Sequence, residues 1–209
     1  FHNECLKACQ NTLQKNNEQA FAYKYAGKSL IAIGKLEKAQ QLLLKAHQLD
    51  RTDPEIVKDI GNYFNITKNY TEAIKAYKHA LSIDPNYSPA INNLGLIAQQ
   101  SGNLQEAVKL VTRASELDPS TASFHLNLGS IYKDLGKPDL ALVSTLKCIE
   151  LNCNHPIAHM NLGSIYKDLG KLDLALASTL KSIELKSNNP IAHMNLGSIY
   201  RDIGNLDQA

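Results

Sequence analysis

The sequence predicts an all-α fold of stacked helical hairpins, and three observations carry that reading. The stretch HLNLGSIYKDLGKPDLALVSTLKCIEL beginning at His125 returns at His159 as HMNLGSIYKDLGKLDLALASTLKSIEL and at His193 as HMNLGSIYRDIGNLDQA, 34 residues apart each time. A glycine marks weaker copies at the same period, at Gly27, Gly61, Gly95, Gly129, Gly163 and Gly197. Within each copy, apolar residues recur at spacings of three and four, the period of a helix.

Repeats in this register span 20–53, 54–87, 88–121, 122–155 and 156–189, with a truncated sixth at 190–209. Residues 1–19 read as the second helix of a preceding partial repeat, with Cys5, Cys9 and Thr12 at its small-residue positions. The first helix of a repeat carries residues such as Ile91, Leu94 and Ala98. It is expected to end at Gly102, Gly136, Gly170 and Gly204, where glycine suits a left-handed cap. Asp139, Asp173 and Asp207 then open the next helix, where a negative charge favours the helix dipole, and Pro138 tolerates the same turn. The second helix carries Ala73, Tyr77 and Ala80, or Ala107, Val111 and Ala114. Asp84-Pro85 and Asp118-Pro119 close it, because the residue before proline resists helical angles. One hairpin cannot bury its own apolar faces, so neighbours must stack and share a core.

Composition excludes several classes. Lys and Arg number 22 against 20 Asp and Glu, so the net charge of +2 exerts no general pull on nucleic acid or membranes. No apolar run approaches the roughly 20 residues that a membrane-spanning helix needs. No basic stripe interleaves with aromatics, and Trp is absent. Phosphate-binding glycine loops, GxSxG and HExxH are missing, so no enzymatic motif and no cofactor is expected. The four cysteines lack CxxC spacing and read as small core fillers or incidental thiols, consistent with a reducing, cytoplasmic setting. Asn65, Asn69 and Asn86 match glycosylation acceptors by chance in an Asn-rich chain. The chain starts at FHN without Met and stops at DQA, which reads as a piece of a longer protein.

Leu128-Gly129, Tyr132, Gly136 and Ala141 in repeat four, matched by Leu162-Gly163, Tyr166, Gly170 and Ala175 in repeat five, resemble the signature of the tetratricopeptide repeat (TPR) family. Ile60-Gly61, Phe64, Ala73, Tyr77, Ala80 and Pro85 do the same in repeat two. The chain departs from that signature where the leading aromatic survives only as Tyr23, where Thr145 and Thr179 replace the later aromatic, and where Arg51, Cys153 and Ser187 replace the closing proline. Those departures point to looser packing in the C-terminal half. The resemblance implies a right-handed α-solenoid whose first helices line a concave groove. It further implies a non-catalytic scaffold that recognises an extended segment of a partner protein or peptide there.

By the same resemblance, groove contacts come from positions five, six, nine, twelve and thirteen of each repeat. Position six supplies Asn93, Asn127, Asn161 and Asn195, a ladder of amides able to pair with a peptide backbone or simply with solvent. Lys24, Lys28 and Lys58 make the N-terminal groove more basic, suited to acidic side chains or a carboxylate, and Asn62 is a further contact there. Lys58, Asn62 and Asn93 fit three places of the family's carboxylate clamp, but Ser123 and Asn127 stand where its two cations belong. Lys133, Lys167 and Arg201 each precede an aspartate at position thirteen and are either secondary contacts or a solvated edge.

His125, His159 and His193 lie one repeat apart, too far to share a metal ion, and no metal site is expected. They are read as core or half-buried side chains whose protonation would loosen repeats four to six. The alternative function is a substrate-recruiting region of a larger glycosyltransferase or sulfotransferase. Self-association through an uncapped last repeat is a further expectation, resting on Ala209.

Overall fold

The computed structural model of the chain describes residues 2–16 and 18–204, and every regular element among them is an α-helix. The described helices are α1 (His2–Lys15), α2 (Ala20–Ala32), α3 (Leu36–Leu49), α4 (Pro54–Ile66), α5 (Tyr70–Ile83) and α6 (Ser88–Gln100). They continue with α7 (Leu104–Leu117), α8 (Ala122–Asp134), α9 (Pro138–Leu151), α10 (Pro156–Asp168), α11 (Leu172–Leu185) and α12 (Pro190–Ile203). The chain forms two compact units, Phe1–Ile97 and Ala98–Ala209. In the first, α2 packs on α3 and α4 on α5, and α3 joins one hairpin to the next through α4. In the second, α8 packs on α9 and α10 on α11, with α9 against α10 and α11 against α12. First helices of successive hairpins also touch, α2 with α4, and α10 with both α8 and α12. Asp207 and Ala209, and with them the expected opening of a last helix and the uncapped end, lie outside the described residues.

Local chemistry sets the helix ends. Gly34, Gly102, Gly136, Gly170 and Gly204 take φ of +77°, +77°, +68°, +71° and +85°, left-handed angles that cost glycine little. In the hairpin of α4 and α5 the same place is held by Lys68 at φ +59°, where a Cβ crowds the following carbonyl. Lys68→Gly is therefore expected to stabilise the protein by about 1 kcal/mol, read as a raised urea midpoint. Pro54, Pro138, Pro156 and Pro190 sit in first turns, where no amide hydrogen is needed. Asp53 caps α4 by accepting the Glu55 N–H at 2.7 Å, and Asn189 accepts the Ala192 N–H at the start of α12.

The core is made of small residues that let helices approach. Ala39, Ala73, Ala80, Ala107, Ala114, Ala141, Ala158, Ala175 and Ala192 are fully buried. One recurring contact sets a first-helix glycine against the same position of the second helix: Gly27 on Leu43, Gly61 on Tyr77, Gly129 on Thr145, Gly163 on Thr179. Thr145 and Thr179 are as fully buried as Tyr77 and press directly on their glycines, so this contact is tight and not loosened by losing the aromatic. What the threonines cost is polarity. Their Oγ1 atoms are buried without a hydrogen-bond partner, an arrangement that costs on the order of 1–3 kcal/mol per group. Thr145→Val keeps the shape and removes the stranded hydroxyl, and a gain of about 1 kcal/mol in urea unfolding is the expected outcome.

Candidate functional site

The first helices of the N-terminal unit carry a connected polar network. Lys24 reaches from α2 to Asp53 Oδ2 at 2.9 Å and to Glu55 Oε2 at 2.7 Å. Lys28, one turn further along α2, donates to the other Glu55 oxygen at 2.7 Å and stands 3.9 Å from Asp59 Oδ2. Lys58 donates to Asp59 Oδ1. Asn62 turns its amide nitrogen toward the same Asp59 oxygen at 3.3 Å. Its carbonyl oxygen accepts from Tyr77 Oη at 2.9 Å and from Asn93 Nδ2 at 2.8 Å. Three lysines thus face three carboxylates, and the cluster carries no net charge. All three lysines read as groove cations hold carboxylate partners of their own, so they would meet an acidic ligand only by exchanging those partners.

The titration behaviour follows from this geometry. Burial would lower the Lys24 ammonium, but its bonds to Glu55 and Asp53 outweigh that and raise it. Burial would likewise raise the Glu55 carboxyl, yet Lys24 and Lys28 bring it down to about 2. Asp59 goes the other way. Its side chain is only 2% exposed, and burial pushes its carboxyl up although Lys58 pulls it down. Sequence reasoning missed Asp59 because it sought cations and amides. The signal was its offset, since Asp59 stands at position six of its repeat, where the later repeats place the asparagine ladder.

In the C-terminal unit the ladder is arranged differently. Asn127, Asn161 and Asn195 occupy equivalent positions on α8, α10 and α12, of which α10 packs against both others, so the three amides form a half-buried row. Among the described residues, the side-chain amides of Asn161 and Asn195 have no hydrogen bond within the chain. Beside them, Gln99 donates to Ser130 Oγ at 3.2 Å and Asp134 Oδ2 at 2.6 Å. Lys167 repeats that pattern two repeats on, donating to Ser198 Oγ at 2.8 Å and pairing with Asp202 at 3.2 Å. Lys133 and Arg201 are exposed.

The histidine series does structural work of a kind the sequence did not reveal. Nε2 of His125, His159 and His193 donates to the carbonyl of the residue six earlier, Pro119, Cys153 and Ser187, at 3.0, 2.8 and 2.8 Å. Each ring pins the turn that leads into its own helix. His125 and His159 are half-buried and His193 is exposed, so none is a core residue. The imidazolium keeps its Nε2–H, so protonation leaves this bond in place and does not loosen the repeats through it. Among the described residues no cluster of three or more His, Cys, Asp or Glu could hold a metal ion, and no helix is long and apolar enough to cross a membrane.

Family models agree with this architecture. Two tetratricopeptide repeat models match residues 67–131 and 122–155, and a TPR repeat model matches residues 163–204; together they cover more than half of the chain. No curated protein sequence matches. Among solved structures, the APC/C hetero-tetramer Cut9-Hcn1 superposes with a TM-score of 0.88 at 18% identity, over 97% of this chain and 40% of that one. The Pseudomonas aeruginosa protein pilF gives 0.80 at 21% identity, covering 91% and 86% of the two chains. YrrB, described as a TPR protein with an unusual peptide-binding site, gives 0.59 at 23%, covering 90% and 96%. Identities this low show the fold alone, and the chain spans well under half of the matched Cut9-Hcn1 chain. The fold is a helical-repeat scaffold of the protein-interaction kind. The chain belongs to the tetratricopeptide repeat family.

Proposed function

We propose that the chain is a non-catalytic scaffold that holds an extended segment of a partner polypeptide along its first helices. The observation that supports this most directly is the row of Asn127, Asn161 and Asn195, two of whose amides lack any partner within the chain. An amide presents a donor and an acceptor side by side, which matches the alternating N–H and C=O groups of an extended backbone and is indifferent to sequence. Lys133, Lys167 and Arg201 lie further along the same helices and contact side chains of the bound segment. Within the N-terminal unit, Asn62 and Asn93 contribute contacts of their own by exchanging the bonds they make to each other, while Lys24, Lys28 and Lys58 act through their carboxylate partners.

The test is peptide-array binding by the full chain and by a variant with Asn127, Asn161 and Asn195 all changed to Ala. Amide-to-backbone bonds are worth on the order of 1 kcal/mol each, so the triple change is expected to weaken binding at least tenfold. Binding that survives unchanged refutes the ladder's role.

A further inference from the structure

Within the N-terminal unit, a pocket of about 270 Å³ is lined by Lys28, Ile31, Asp59, Asn62, Asn65 and Ile66. It is smaller than the roughly 300–1,000 Å³ of a typical small-molecule site and fits the scale of one side chain. Two oxygen atoms in its lining are buried without a hydrogen-bond partner: Asp59 Oδ2 and Asn65 Oδ1. Both are acceptors. Asp59 Oδ1 is satisfied by Lys58 and Asn62, and Lys28 is drawn to Glu55 at 2.7 Å, leaving it 3.9 Å from Oδ2, beyond hydrogen-bond reach. Because both stranded atoms accept, the group missing is neither an anion nor an apolar filler. It is a donor able to serve two oxygens, one of them charged.

We propose that this pocket receives the ammonium or guanidinium group of a basic side chain carried by the bound segment, with Asp59 Oδ2 and Asn65 Oδ1 as its acceptors. The inference rests on the peptide-binding reading and adds a specificity to it. Ile31 and Ile66 supply apolar wall for the methylene stem of such a side chain, while its head reaches the oxygens. A charge-assisted bond to a desolvated carboxylate is about twice as strong as a neutral one, which favours a cation over an amide. Burial pushes the Asp59 carboxyl up against the pull of Lys58 and Lys28, which agrees with a carboxylate one of whose oxygens has no donor.

The experiment titrates the full chain with N-acetyl-arginine amide and N-acetyl-lysine amide, following the side-chain amide NMR signals of Asn62 and Asn65. The neutral isostere N-acetyl-citrulline amide and N-acetyl-glutamate amide serve as controls. Saturable shifts with the basic probes, at least tenfold weaker with both controls, are expected. Asp59→Asn is expected to erase the preference for arginine over citrulline. Asn65→Ala, which touches none of the ion pairs, is expected to weaken the basic probes severalfold and keeps the test open if the Asp59 variant fails to fold. Equal binding of arginine and citrulline probes, or arginine binding unchanged by Asn65→Ala, overturns the proposal. Either result leaves the asparagine row intact, because the array test on Asn127, Asn161 and Asn195 concerns the other unit.

Discussion

Lys58→Met is expected to destabilise the protein by about 3 kcal/mol at pH 7, measured as a lowered urea midpoint, because it strands a buried carboxylate. Asp59 is 2% exposed and Lys58 12%, so this is an interior pair and little solvent screening is available. Methionine replaces the stem of the lysine, so the loss is electrostatic and leaves packing nearly unchanged. After the substitution Asp59 keeps the Asn62 amide at 3.3 Å and a distant Lys28, too little to compensate a full charge. Two further measurements identify the cause. Lys58→Met combined with Asp59→Asn is expected to recover most of the loss, since no unpaired charge remains. The penalty is also expected to shrink as the pH falls. Asp59 already binds its proton more readily in the folded chain than its ordinary value allows, and removing Lys58 strengthens that tendency. A folded-state carboxyl that is raised makes the folded state relatively more stable as the pH drops through that raised value. A penalty that stays constant from pH 7 to pH 4 contradicts this account.

Gly61→Ala is expected to cost about 2 kcal/mol, opposite to what helix propensity alone gives. In the middle of a helix, alanine is better than glycine by roughly 1 kcal/mol. At this position the new Cβ falls 2.7 Å from Cδ1 of Tyr77 and nearer still to Cε1. The ring cannot swing away, because Tyr77 is fully buried and its hydroxyl is tied to Asn62. Overpacking of this kind costs about 1–3 kcal/mol and more where the neighbour is rigid. Gly27→Ala is the informative comparison, since the opposing side chain there is the aliphatic Leu43, equally buried but with no hydroxyl tying it in place. A Gly61→Ala protein as stable as the parent, by thermal or urea unfolding, contradicts the rigid-ring account.

These two expectations also mark how far the sequence could be read. The all-α repeat class was legible because periodicity is a local property: Gly61 and Tyr77 recur with their counterparts at 34-residue steps whatever the packing. Glycines at the hairpin turns were legible for the same reason, since a left-handed cap asks for one residue type at one place. That Lys68 stands in the place of that glycine and still adopts the left-handed angle was not read from the sequence. The polar network was not legible, because its partners belong to different repeats. Lys24 finds Glu55, Asn62 finds Asn93, Gln99 finds Ser130 and Lys167 finds Ser198, each 31 residues on. A reading that compares equivalent positions 34 apart sets like beside like and passes over those pairs. It therefore counted Lys24, Lys28 and Lys58 as open cations and overlooked the carboxylates that neutralise them.

The 31-residue offset bears on how such a chain can lengthen. Repeats four, five and six each carry serine at position nine, a basic residue at twelve and aspartate at thirteen, and Lys167 of repeat five uses the serine and aspartate that repeat six offers. Modules of that pattern are interchangeable, and extra copies can be spliced in without orphaning a charge. Repeats one and two are not: Lys24 and Lys28 demand the acidic Glu55 and Asp59 beside them, and inserting any other module between them would leave both lysines without their counterparts. Growth by duplication is thereby open toward the C-terminal repeats and closed between the first two.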